Sequence, residues 1–446
     1  MGMNHRGHSE HRGRKERVLR LLCPSPLLLC VLCVLCVFLL SCAGGGALKA
    51  GGAGIVLVPP ALLSPSGPAA DFYATRAEPA VATEPLAVRL ATEIDDGRKQ
   101  RGQAPLVRDG RLDRVAHDIA LVTGGLRAPA PDMVAFLLWH YGVAEPEPNL
   151  FLLRGDDGAE AAALAGLQPQ FARASASVQW RRVGVGVARG VGHWTAVAVF
   201  QEKNLDLDPF PRRLATGAHV PVAGRIRAPL HSPEVLVTPP RGAVERPATT
   251  VHRGTYAARV ECNLGSGVYQ VEISAQDARG PRVLANFPVY CGVAPPTAIA
   301  AAPSAPARGM DPADAERRLL DLLDGDRREN GLPALVRDAR LAAIARGYSR
   351  EMAETGEVAH VSPRTGSVVE RVGAAGIAPR PSLIAENVGS AASAADAEHA
   401  FMGSPGHRDN ILNRAVTHVG VGVAVGRDEG ASALLYFTQV FAGWEY

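Results

Sequence analysis

Two histidines and one glutamate carry the densest chemical pattern in the chain. They lie in Ala359-His360-Val361-Ser362-Pro363, Ala385-Glu386-Asn387-Val388 and Ser404-Pro405-Gly406-His407-Arg408-Asp409-Asn410-Ile411-Leu412. Imidazole and carboxylate together suit a divalent cation, zinc or calcium, or a polar ligand that needs both a donor and an acceptor. The separations of 26 and 21 residues are far from the spacing that sets two ligands on one helix face, so distant elements must bring the three together. A histidine taken alone is more often a hydrogen-bonded structural residue than a ligand. No Ser or Cys nucleophile motif and no His-Glu-x-x-His helix occurs, so no catalytic residue is assigned. A hydrolase with Glu386 as general base and a metal-activated water stays open as an alternative.

Helices precede strands around this trio. Asp311 can cap a helix that has Pro312 at its first position, with Leu319, Leu322 and Leu323 as the buried stripe and Asn330-Gly331 at its end. Asp338 can cap a second, whose stripe is Leu341, Ala345, Tyr348 and Met352. Residues 419–425 and 434–441 read as strands joined by a polar turn at 427–430. The class is α+β, a layered sandwich.

Part of this pattern occurs twice. Leu106-Val107-Arg108-Asp109 repeats as Leu335-Val336-Arg337-Asp338, and Val183-Gly184-Val185-Gly186-Val187-Ala188 as Val419-Gly420-Val421-Gly422-Val423-Ala424. An aromatic-Thr pair follows each, Trp194-Thr195 and Phe437-Thr438. Three ordered matches read as an internal duplication, with a first copy at 86–203. In that alignment Glu386 falls opposite Leu152, His407 opposite Phe171 and His360 near Ala128, so the first copy lacks the polar trio. His117, His140 and His193 are expected to be structural.

Between the copies, 205–293 reads as β. Tyr256, Ala258, Val260 and Cys262 alternate with polar positions, as do Tyr269, Val271 and Ile273 with Gln270, Glu272 and Ser274. A third face is Val283, Ala285, Phe287, Val289 and Cys291, with turns at 263–267 and 277–280. The expectation is a small all-β, Ig-like sandwich serving as spacer or adhesion module. Residues 42–85, rich in Gly, Ala and Pro, read as a tether, and 294–311 as a linker.

The N-terminus reads as a targeting segment. A basic stretch precedes an apolar run from Leu21 to Leu40, and Leu39-Leu40-Ser41-Cys42 closes it. That closing motif resembles the lipobox of bacterial lipoproteins, which implies cleavage after 41 and a lipid on Cys42; an uncleaved anchor is the other reading. Residue Ala43 carries no inner-membrane retention signal, so outer membrane or surface is expected. Of seven cysteines, four lie in the apolar run and Cys42 closes it; Cys262 and Cys291 remain as a disulfide pair in an exported chain. Residues 1–41 hold six basic and two acidic side chains, which leaves the rest of a +3 chain close to neutral. That excludes the basic footprint of a nucleic-acid binder.

The order and wording of the C-terminal motifs resemble the bacterial form of the CAP superfamily (SCP-like extracellular domain). The resemblance covers 312–446 and ends with Phe437-Thr438-Gln439-Val440-Phe441. It implies an α-β-α sandwich with a central cleft lined by His360, Glu386 and His407. Ala385 replaces the usual Gly, and Phe401 the usual Trp. The second acidic cleft residue of many members has no match: Ser404 stands about where it would be, and Glu398 is expected on another helix face. The resulting expectation is a cell-envelope lipoprotein with a non-enzymatic binding cleft for a lipid, an envelope component or a divalent cation. Its partners would be the membrane, through the N-terminal lipid, and that ligand. A metal-dependent hydrolase and a purely structural or adhesion protein are the alternatives.

Overall fold

The computed structural model describes residues 62–123, 129–146, 148–300, 311–426 and 434–444. All belong to the unit Pro59–Tyr446. The signal-like run, Cys42, position 128 and the 427–430 turn lie outside the described residues.

In the C-terminal region local signals act as read. Asp311 accepts from the Ala313 amide to start helix Pro312–Glu329, and Asp338 accepts from Arg340 and Leu341 to start helix Ala339–Thr355. Four strands form one sheet in the order Val336–Arg337, His418–Val425, Leu435–Gly443, Leu383–Ala391. The first pair is parallel and the others antiparallel. Leu319, Leu323, Ala397 and Phe401 cover one face, over Val419, Val421 and Phe437. Leu341 and Ala345 cover the other, over Val440 and Ala442. This is the expected α-β-α layering.

The N-terminal region repeats that sheet in order and direction: Val107–Arg108, Trp180–Gly190, His193–Glu202, Asn149–Asp156. Arg98 donates to the carbonyls of Ala104, Ser175 and Ser177, and Arg327 to those of Pro333, Ile411 and Asn413. The register corrects the sequence alignment. Gly186 pairs with Val197 where Gly422 pairs with Thr438, so Thr195 is not the counterpart of Thr438. Val199 then corresponds to Val440, and their partners are Leu150 and Glu386. The position facing Glu386 is therefore Leu150, two residues before Leu152. Both leucines pack on the same core, so the position is apolar either way. His117, His140 and His193 each bond a backbone carbonyl, of Val187, Gly67 and Val191.

The middle region is two facing four-stranded sheets around a core that includes Tyr269, Phe287, Cys262 and Cys291. Cys262 and Cys291 form a disulfide with Cα atoms 5.7 Å apart.

The tether and linker assignments need correction over 62–85 and 294–300; residues 42–61 and 301–310 lie outside the described residues. Leu62–Leu63 pairs with Ile299–Ala300, and Phe72–Tyr73 pairs with Phe210–Pro211. Tyr73 is fully buried, its hydroxyl donating to the Pro288 carbonyl at 2.8 Å. Gly/Ala/Pro-rich composition signals a solvated chain only on average; single large side chains within it still dock wherever the core offers apolar surface. Helix Pro85–Gln100 starts one residue before the boundary assigned at 86, because the Glu84 side chain caps it through the Ala87 amide.

Candidate functional site

Glu386, on strand Leu383–Ala391, is 5% exposed. One carboxylate oxygen accepts from Arg371 and the other faces His360 Nδ1 at 3.2 Å. Arg371 also lies over the Tyr348 ring, 3.5 Å from its centroid, and the Tyr348 hydroxyl donates to the Ala359 carbonyl, next to His360. A buried carboxylate held by a guanidinium is a compensated charge that orients an imidazole. Arg371 was not among the residues singled out in the sequence. Its place opposite Glu386 depends on helix Val368–Ala374 packing on the strand, which no local pattern encodes.

His407 lies on the short helix Pro405–Ile411, its ring centroid 6.4 Å from that of His360 and 5.1 Å from that of Phe401. Burial, and then the neighbouring His360, push its pKa down to about 3. The ring is neutral and contacts rings rather than a hydrogen-bond partner among the described residues. Beneath it, Asn387 donates to the His407 carbonyl at 3.2 Å and to Gln439 Oε1 at 2.9 Å, and accepts from Asn410 at 2.9 Å. Gln439 in turn donates to Glu398 at 2.8 Å. Glu398 is thus part of the cleft floor rather than its lining.

The sequence trio therefore meets, but as an Arg371–Glu386–His360 relay with His407 beside it. Both oxygens of Glu386 are engaged, one by the Arg371 guanidinium and the other by His360. Among the described residues no group of three His, Cys, Asp or Glu side chains is gathered to hold a metal ion.

The sandwich holds the His360 loop from outside. The Arg279 carbonyl accepts from the amides of His360, at 3.1 Å, and Val361, at 2.9 Å. Gly280, at φ +97°, lies so near that a Cβ there would be 2.8 Å from that of His360. The histidines open into a cavity of about 840 Å³ whose wall also includes Phe136 and Trp139 of the N-terminal region and Val283 of the sandwich. The charged side chains along it are paired: Asp132 with His399 at 2.8 Å, Arg279 with Glu357 at 2.9 Å, Arg282 with Glu202 at 2.6 Å, and Glu145 with Arg182.

No helix among the described residues is long and apolar enough to cross a membrane. The sequence model of the Cysteine-rich secretory protein family, CAP, matches residues 320–441. Two proteins of Bacillus subtilis (strain 168) are similar over this region: uncharacterized membrane protein YlbC, 34% identical over 108 residues, and uncharacterized protein YkwD, 33% identical over 107. Each match covers 24% of this chain, and 31% and 41% of the relatives, so the chain spans well under half of either. Among solved structures, an outer surface protein from Borrelia burgdorferi is 18% identical with a TM-score of 0.28, covering 30% of this chain and 97% of that one. An extracellular protein containing a SCP domain from Bacillus anthracis str. Ames is 18% identical with a TM-score of 0.26, covering 50% and 78%. With the family's motif residues set on one α-β-α sheet around a shared cleft, residues 320–441 of this chain are a CAP domain.

Proposed function

We propose that this is an exported, lipid-anchored envelope protein whose CAP domain is a non-enzymatic binding module. The observation that carries the reading is the cavity of about 840 Å³ into which His360 and His407 open. Its size lies in the range of small-molecule sites, roughly 300–1,000 Å³. Paired charges along the wall, a neutral His407 and the apolar faces of Phe136, Trp139 and Val283 favour an uncharged ligand with an apolar body and a polar end. Binding is favoured over hydrolysis by Glu386 because its carboxylate is buried and turned toward Arg371 and His360. Cys42 supplies the anchor, and the first copy, having lost its own polar trio, serves as wall.

The test uses the exported full chain and two fluorescent amphiphiles, neutral N-phenyl-1-naphthylamine and anionic 1-anilinonaphthalene-8-sulfonate. The neutral dye should bind at one site and accept energy from Trp139. Ala400→Trp, at an exposed lining position, should block it, and His407→Leu should weaken it. Equal or tighter binding of the anion, or indifference to Ala400→Trp, would overturn the reading. Calorimetric titration with zinc should show no binding; a site lost in a His360→Ala/His407→Ala form would restore the metal alternative.

A further inference from the structure

The helix that carries His407 has no cap of its own. Ser404 stands at its N-cap position, yet its side chain makes no capping bond. Its hydroxyl instead donates to Glu272 Oε2, on strand Gly267–Asp277 of the sandwich, and the Gly406 amide donates to Glu272 Oε1 at 3.2 Å. Glu272 is 2% exposed. A Cβ at position 406 would sit 2.9 Å from its carboxyl oxygen, so the approach depends on glycine there.

We infer that Glu272 is a positioning residue of the CAP cleft: from another part of the fold, its side chain caps the Pro405–Ile411 helix and fixes where His407 stands. An orphan helix amide and a buried hydroxyl are both satisfied by one carboxyl, and among the described residues that carboxyl makes no other hydrogen bond. The Ser404 site, where sequence reading missed an acidic side chain, is supplied with one from 132 residues earlier.

The clamp has a pH dependence of definite sign. Burial, against the two hydrogen bonds, raises Glu272 to about 7. The charged groups around it are Glu234 on the neighbouring strand, Arg246, which pairs with Glu234 at 3.2 Å, and Asp409 on the capped helix, which Arg246 reaches at 3.0 Å. His407, one residue beyond Gly406, is neutral. An acid raised on docking holds best when protonated, so the clamp loosens as pH climbs from the free carboxyl value, roughly 4.3, through about 7.

The test is hydrogen–deuterium exchange of peptides spanning 404–412 in the full chain, with intrinsic rates corrected, between pH 5 and 8. Wild type should lose protection in this segment with rising pH, by up to on the order of 100-fold, while strand Leu435–Gly443 does not change. Glu272→Gln mimics the protonated acid: its Oε1 accepts from Gly406 and its amide nitrogen donates to Ser404 Oγ, as the protonated carboxyl does when that bond reverses. It should hold protection at its low-pH level and abolish the step. Glu272→Ala should expose the segment at every pH. A step that persists in Glu272→Gln, or protection unchanged in Glu272→Ala, would overturn the inference. If Glu272→Ala fails to fold, the Gln variant still decides. No ligand is used, so the outcome is independent of the binding proposal.

Discussion

Gly422→Ala adds one methyl group where there is no space for it. The strand His418–Val425 lies so close on helix Ala339–Thr355 that a Cβ at Gly422 would meet the Arg346 amide nitrogen and the Ala345 carbonyl carbon well inside 3.0 Å, where Cβ atoms essentially do not sit. Restoring ordinary contact at about 3.4 Å requires strand and helix to part by roughly 1 Å, and a gap of that size forfeits a quarter to half of each contact's attraction. Overpacking of this kind costs about 1–3 kcal/mol. Glycine's greater freedom in the unfolded chain returns about 0.4–1 kcal/mol to the alanine form. Because the obstructing atoms are backbone on both sides, the cost lies at the upper end of that range and the net loss is about 2 kcal/mol, a fall of roughly 4–8 °C in melting temperature for a domain of this size.

Differential scanning calorimetry of the full chain reads this directly, with two companions. Gly186→Ala meets His117 and Ala116 in the same way in the N-terminal sheet and should cost as much. Gly347→Ala, on the same helix as Arg346 but with nothing within 4 Å, should instead stabilise by about 0.5–1 kcal/mol. If Gly422→Ala melts within a degree of wild type, the close seating of strand on helix is wrong. If Gly422→Ala falls and Gly186→Ala does not, the two sheets are not built alike and the proposed duplication loses its best structural support.

Two further outcomes follow from the same geometry. Cys262 and Cys291 close a loop 29 residues apart, so Cys262→Ala/Cys291→Ala should lose about 3–4 kcal/mol in urea unfolding; a loss under 1 kcal/mol would show that the sandwich core alone carries that region. His407 is depressed to about 3 while a free histidine titrates near 6.5, so it contributes stability above 6.5 that is lost as pH falls toward 3. His407→Gln should flatten that acid limb of the melting curve, and an unchanged limb would place the ring in solvent.

What the sequence made legible was local. Asp311 and Asp338 act within three residues of themselves, and their caps are where the pattern puts them. The three site residues are brought together, though spacing could not have shown it; the family resemblance supplied it. Arg371 was missed because its partner lies 15 residues away across a helix–strand contact. Glu272 was missed for another reason. Alternation with Val271 and Ile273 assigned it correctly to the face opposite the sandwich core, but a period of two does not say what covers that face. Here a CAP helix does. The tether failed because composition averages over Tyr73, whose ring lies 4.5 Å from that of Phe287.

The join between the three parts explains why the cleft cannot be understood from the CAP domain alone. Asn286, on the sandwich, sits where all three meet. Its amide donates to the Ala144 carbonyl at 2.9 Å, its carbonyl accepts from the Trp139 indole at 3.0 Å, and its side chain donates to the Gly403 carbonyl at 3.1 Å. Gln270 completes it, donating to Asn286 Oδ1 at 2.6 Å. Bonded in this way, the Asn286 backbone holds Trp139 at one wall of the cavity and its side chain holds the chain just before Ser404 at the other. The N-terminal region thus bears on the cleft through an indole and a backbone carbonyl rather than through donors of its own. Its lack of a polar trio is then no argument that it has no part in binding, since what it contributes is the surface facing someone else's histidines.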